Sequence, residues 1–145
     1  MSLQNPLNKM SKSDENVNGC VHLLDSPEVI MKKFKRAVTD CEMSVKFDKE
    51  NKAGISNLLT IYCAATGKTL EEAEAEFEGQ GYGVFKPAVG EAVVELMRPI
   101  REESERIMKD KAYLESVYKE GAAHAQYLAN KTISKVYRKI GFVAR

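Results

Sequence analysis

Long apolar runs are missing from this 145-residue chain: none approaches the roughly 20 residues that a membrane span requires. The first 20 residues are polar and hold Pro6 and Lys9, so no signal-peptide core opens the chain. Cysteine is scarce. Cys20, Cys41 and Cys63 form no CxxC pair, and an odd, widely spaced set does not make a disulfide framework. Histidine is scarcer still, with only His22 and His124. Cys20 and His22 stand close together, but two ligands do not hold zinc, so no metal site is expected. Charge of one sign is not in excess, since 22 Lys+Arg face 21 Asp+Glu. With 43% hydrophobic residues, that balance excludes a wholly disordered chain. The length suits one domain with a single core. A soluble, cytoplasmic protein with no membrane contact is the expectation.

What is present is helical. Ser26-Pro27-Glu28 is a helix start, with Ser26 as N-cap and Pro27 at the first position; that helix is expected to end near Thr39-Asp40. Residues 41–53 read as a polar connection, with Met43, Val45 and Phe47 giving a weak extended signal. A second helix opens at Gly54. Ile55, Leu58, Leu59 and Tyr62 form its apolar stripe, and Gly67 stops it. Thr69 and Glu72 make a capping box for a short third helix. Gly79, Gly81 and Gly83 follow, in a spacing that matches no nucleotide fingerprint and reads as a turn between helices. A long helical pattern then runs from about Val84 to Lys109. Val89, Val93, Leu96 and Ile100 form its apolar face, Pro87 falls in its first turn, and Pro99 should kink or split it. Asp110 can cap a last helix to about Lys139, with Leu114, Val117, Ala125, Leu128, Val136 and Ile140 on its buried side. Gly121 weakens that helix and Gly141 ends it. The expected fold is all-α, a bundle of four to five helices. Its core should hold Ile55, Leu58, Leu59, Val93, Leu96, Leu128 and Val136. Residues 1–25, punctuated by Asn5, Pro6, Asn8, Asn16, Asn18 and Gly19, read as a flexible N-terminal arm, and 1–16 as mobile.

The near-neutral total hides a gradient. Residues 54–90 carry a net −3, whereas 128–145 carry Lys131, Lys135, Arg138, Lys139 and Arg145 with no acid. Lys131, Lys135, Arg138 and Lys139 fall at i, i+4, i+7 and i+8, on one helical face. Such a face can meet an anionic partner, or serve only as a solvated helix end.

The segment with most chemistry is Lys9-Met10-Ser11-Lys12-Ser13, followed by Asp14. Two ammonium groups and two hydroxyls on a loop can surround a polyphosphate. This KMSKS phrase resembles the second signature of the class I aminoacyl-tRNA synthetases. The likeness extends along the chain: Leu3-Gln4-Asn5-Pro6 before it, then Asp25 to Lys33 and Arg36 to Asp40. Gly54 to Leu59, Gly81-Tyr82-Gly83 with Phe85-Lys86, and Lys135 to Val143 complete it. In these segments the chain is similar to bacterial-type tryptophanyl-tRNA synthetases, with the tyrosyl enzymes as the nearest competitor. A HIGH-type first signature is not present. Neither Val21-His22-Leu23-Leu24 nor Ala123-His124-Ala125-Gln126 resembles it, and no strand–helix alternation precedes Lys9.

The resemblance implies the C-terminal part of such an enzyme, beginning just before the signature loop and inactive without its nucleotide-binding domain. Residues 1–25 would belong with that domain and 26–145 would bind the tRNA anticodon. The parent, a homodimer, would activate tryptophan with ATP and Mg2+ and ligate it to tRNA. Lys12 and Lys9 would be catalytic, and Lys9, Met10, Ser11, Lys12 and Ser13 would bind ATP. Lys131, Lys135, Arg138 and Lys139 are candidates for tRNA contact. A stand-alone helical interaction protein is the rival reading.

Overall fold

A computed structural model describes residues 1–143; Arg145, counted in the basic run, lies outside the described residues. Five helices follow one another: α1 Pro27–Lys35, α2 Ala53–Thr66, α3 Leu70–Glu76, α4 Tyr82–Lys109 and α5 Lys111–Ile140. Among the described residues there is no strand, so the chain is all-α. It forms two compact units, Met1–Arg101 and Glu102–Arg145. Residues 1–25 fall in the first unit, together with α1, α2 and α3.

The helix starts follow their side chains. The Val29 N–H donates to Ser26 Oγ at 3.4 Å, and Pro27 occupies the first turn, where a missing N–H costs nothing. In α3 the Glu72 N–H donates to Thr69 Oγ1 and the Thr69 N–H to the Glu72 carboxylate, closing the capping box. The Tyr113 N–H donates to Asp110 Oδ1 at 2.9 Å to start α5. Gly67 and Gly141 end α2 and α5 with φ of 77° and 76°, a left-handed conformation in which a Cβ is strained. Beyond Gly141 the Phe142 N–H donates to the Tyr137 carbonyl, and the two rings pack 5.7 Å apart.

Helix α1 ends four to five residues before the expected Thr39-Asp40. Its chain turns at Arg36 and Ala37, and the Val38 N–H pairs instead with the Leu3 carbonyl at 2.8 Å. The carbonyls left free there find side chains: Gln4 Nε2 donates to Arg36 O and Lys86 Nζ to Ala37 O. The weak extended signal at Met43, Val45 and Phe47 does not become a strand. Met43 takes a φ of 63°, while Val45 is buried.

The core of the first unit joins α1 (Ile30, Phe34), α2 (Ile55, Leu58, Leu59, Tyr62), α3 (Ala73) and α4 (Phe85, Val89, Val93). Tyr62, Phe77 and Phe85 stack edge to face, with ring centroids 4.9–6.3 Å apart. At Gly90 an added Cβ would lie 2.8 Å from Met31 Sδ, so α1 approaches α4 closely there.

Three expectations need correction. Helix α4 starts at Tyr82, two residues early, and runs unbroken through both prolines. Pro99 does not split it into two elements: the helix continues to Lys109, and Pro99 and Glu95, whose carbonyl Pro99 leaves without an N–H, are both exposed residues. Next, Leu96, Leu128 and Val136 are not core residues; each is about half exposed. Helix α5 has no buried residue, so Leu114, Val117, Ala125 and Ile140 do not line a buried side either. Helical spacing marks an apolar face but does not supply the surface that covers it. Finally, the first residues are not free. Ser2 and Leu3 are buried, Leu3 at 1% exposure, and Met10 packs partly against the core.

Candidate functional site

Leu3 explains how the signature loop is held. Its N–H donates to the Gly19 carbonyl at 3.0 Å and its carbonyl accepts from Val38. The Ser2 N–H reaches the Asn8 carbonyl at 2.7 Å. The stretch 4–18 therefore leaves the bundle and returns beside its own start, an Ω-type loop with a pinned base. Asn57, a buried polar residue on α2, grips the outgoing limb. Its Oδ1 accepts from the Met1 nitrogen at 2.9 Å, and its Nδ2 donates to the Met1 and Ser2 carbonyls. Gly19 is required by space: a Cβ there would sit 2.8 Å from Ser2 Oγ.

The returning limb is held by Lys33 of α1. This side chain is buried, and its Nζ donates to the Cys20 carbonyl at 2.8 Å and to Asp25 Oδ2 at 2.6 Å. The His22 N–H also donates to Asp25 Oδ2. Burial alone would raise the Asp25 carboxyl. The Lys33 hydrogen bond and charge and the His22 contacts outweigh it and hold the group below its usual value.

On this base the loop presents Lys9, Ser11, Lys12 and Ser13 to solvent. Met10 alone of the five turns partly inward, against the core. The tip is a turn closed by the Asp14 N–H on the Ser11 carbonyl. Ser11 and Ser13 hydroxyls lie 3.0 Å apart, and the Ser13 N–H donates to Ser11 Oγ. Ammonium and hydroxyl groups gathered this way suit phosphate oxygens rather than a divalent cation. Among the described residues no group of three His, Cys, Asp or Glu could hold a metal ion.

Lys131, Lys135, Arg138 and Lys139 all lie on α5 with their surfaces largely open to solvent, and Arg138 Nε donates back to the Ser134 carbonyl. Sequence reasoning missed a second basic patch. Lys32, Lys35 and Arg36 on α1 and its C-terminal turn border a groove of about 600 Å³ with Pro27, Glu28 and Met31. It also missed the supports of the loop, Lys33 and Asn57. A lysine at a core-facing helix position, eight residues after Asp25, is the signal that could have exposed the first; nothing marked Asn57. A larger cleft of about 780 Å³ is lined by Glu42, Glu71, Glu74 and Glu78 against Lys46, and repels phosphate. The cysteines are free, with Cys41 exposed and Cys20 and Cys63 partly buried. No helix among the described residues is long and apolar enough to cross a membrane.

Comparison with known proteins bears on this arrangement. The family described as tRNA synthetases class I (W and Y) matches residues 1–98. The tryptophan–tRNA ligase of Clostridium tetani is 50% identical over 143 residues, covering 99% of this chain and 42% of that protein. That of Oceanobacillus iheyensis is 48% identical over 141 residues, covering 97% of this chain and 43% of its own. The crystal structure of tryptophanyl-tRNA synthetase from Mycoplasma pneumoniae superposes with a TM-score of 0.68 at 31% identity, over 99% of this chain and 45% of that one. The chain thus spans less than half the length of the relatives it matches. With its signature phrase set on a pinned loop and two thirds of its length matched by the family, the chain belongs to the class I tRNA synthetases of the tryptophan and tyrosine group.

Proposed function

We propose that this chain is the signature-loop and tRNA-binding part of a tryptophan–tRNA ligase. The complete enzyme activates tryptophan with ATP and Mg2+ and transfers it to tRNA. The observation that carries the reading is the loop itself: Lys9, Ser11, Lys12 and Ser13 exposed together on a base fixed by Leu3, Asn57 and Lys33. The activity of the relatives supplies the amino acid.

Adenylate formation breaks the bond between the α- and β-phosphates, and negative charge grows on the departing pyrophosphate. A Lys12 ammonium brought to those oxygens in the transition state lowers the barrier more than it strengthens ground-state binding. Lys9 adds a second positive charge, and Ser11, Ser13 and the loop amides donate hydrogen bonds. A loop free at its tip and fixed at its base can close on the nucleotide and open to release pyrophosphate. In this reading residues 1–25 work with the nucleotide-binding domain of the complete enzyme. Residues 26–145 carry the tRNA surface, with Lys131, Lys135, Arg138 and Lys139 against its backbone. Such contacts position RNA without reading bases.

The test is Lys12→Ala in a full-length synthetase carrying this sequence. ATP–pyrophosphate exchange should slow by roughly 10²–10³-fold, the loss seen when one preorganised donor is removed. The KM for tryptophan should change little. An unchanged exchange rate removes Lys12 from the mechanism.

A further inference from the structure

The loop chemistry above uses only exposed groups, yet a buried lysine holds the loop's returning limb. Lys33 is 5% exposed and lies on α1. A buried lysine is costly to desolvate and is retained only where its partners are well placed. Here one partner is a carboxylate and the other is a main-chain carbonyl of the returning limb, Cys20.

That carbonyl belongs to the residue after Gly19, whose own carbonyl holds Leu3 and whose N–H donates to Asn16 O at 2.8 Å. Asn16 Oδ1 in turn accepts from the Asn18 N–H, and Asp14 Oδ1 from the Asn16 N–H at 2.9 Å. Hydrogen bonds joined by short stretches of main chain therefore lead from the Lys33 ammonium through Cys20, Gly19 and Asn16 to Asp14, which follows Ser13. The outgoing limb has a separate anchor, Asn57. Lys33 is thus the side-chain tie on the returning limb, next to the main-chain tie of Gly19 to Leu3.

We propose that Lys33, neutralised by Asp25, is a positioning residue for the signature loop: it fixes the returning limb at Cys20, so that closure delivers Lys12 to one place. This rests on the reading of Lys12 given above. An error of about 1 Å in that place is enough to cost catalysis while leaving the fold intact.

The experiment is a double-mutant cycle in a full-length synthetase carrying this sequence, read by ATP–pyrophosphate exchange and by thermal unfolding. Lys33→Met keeps the length of the side chain and removes its donors. With Lys12 present it should lower kcat roughly 10- to 100-fold, with a smaller change in the KM for tryptophan. In the Lys12→Ala background the same change should cost less than about threefold, since coupled residues are not additive. An equal loss in both backgrounds, or no loss in either, overturns the inference and leaves Lys33 as structural support. If Lys12→Ala itself has no effect, the reading beneath fails as well, so the two failures are distinguishable. Asp25→Asn goes through the same cycle. It keeps an acceptor for Lys33 but removes its charge, and it decides the matter should Lys33→Met not fold.

Discussion

Gly54 shows how much a single hydrogen can carry. A Cβ at this position would lie 2.2 Å from the Val38 carbonyl oxygen, a main-chain atom that cannot step aside without moving the Leu3 pairing. Gly54→Ala should therefore destabilise by about 3 kcal/mol, the upper end of overpacking costs, measured as a fall in the urea midpoint. Gly121 is the opposite case. It sits inside α5, and a methyl group added there would have nothing within 4 Å, so Gly121→Ala should stabilise by about 0.5–1 kcal/mol through helix propensity alone. A destabilising result would mean that α5 is packed at that point. Leu58 is 1% exposed, and Leu58→Ala should cost about 2–5 kcal/mol in the same assay. The sequence exposed Leu58, through its place in the stripe with Ile55, Leu59 and Tyr62, and Gly121, as a weak point of the last helix. The demand for glycine at 54 comes from a contact with Val38, which periodicity does not report.

At the scale of elements, a network of charged and polar groups holds the turn between α1 and α2 against the start of α4. The Tyr82 hydroxyl donates to Asp40 Oδ1 at 2.6 Å, and buried Lys52 pairs with Glu42 at 2.6 Å and with Asp40 at 3.6 Å. Burial and then the bond to Asp40 push the Tyr82 hydroxyl from 10.0 up to about 12. Its folded value lies above its unfolded one, so its contribution is complete below pH 10 and is lost as pH rises towards 12. Lys52, raised first by its hydrogen bond to Glu42, acts in the same direction. Urea midpoints measured at about pH 8, 10 and 11 should fall above about pH 10. Tyr82→Phe should start lower and fall less. Parallel slopes for the two proteins would place the alkaline loss elsewhere. Element boundaries were legible where a side chain closes on its own helix, as at Ser26, Thr69 and Asp110. They were not legible where a distant segment takes the next N–H, as Leu3 does at Val38, or where a helix continues past a proline, as α4 does at Pro99.

Across the whole molecule, the division between what could and could not be read is physical. The signature residues Lys9 to Ser13 are identified by their order along the chain, and the order is all that sequence offers. Their supports, Asn57 and Lys33, act from 44 to 20 residues beyond the loop tip and carry no local mark. The apolar faces of α4 beyond Val93 and of α5 were readable as faces, but their exposure was not. The basic face of α5 sits on this same uncovered helix, and its role is decided by salt. Each phosphate that a cation neutralises should add about 0.7–0.9 to the slope of log K against log salt concentration. Replacing Lys135 and Arg138 together by Gln in a full-length synthetase carrying this sequence should weaken tRNA binding and lower that slope by about 1.4–1.8 if both contact the backbone. The pair is chosen because neither residue is buried and neither holds the fold, so stability should not change. The same substitutions at Lys32 and Lys35 of α1 report on the other basic patch. A slope that falls for the α1 pair and stays constant for the α5 pair would move the tRNA surface to the groove beside Met31, and leave the last helix with cations that only complement its dipole.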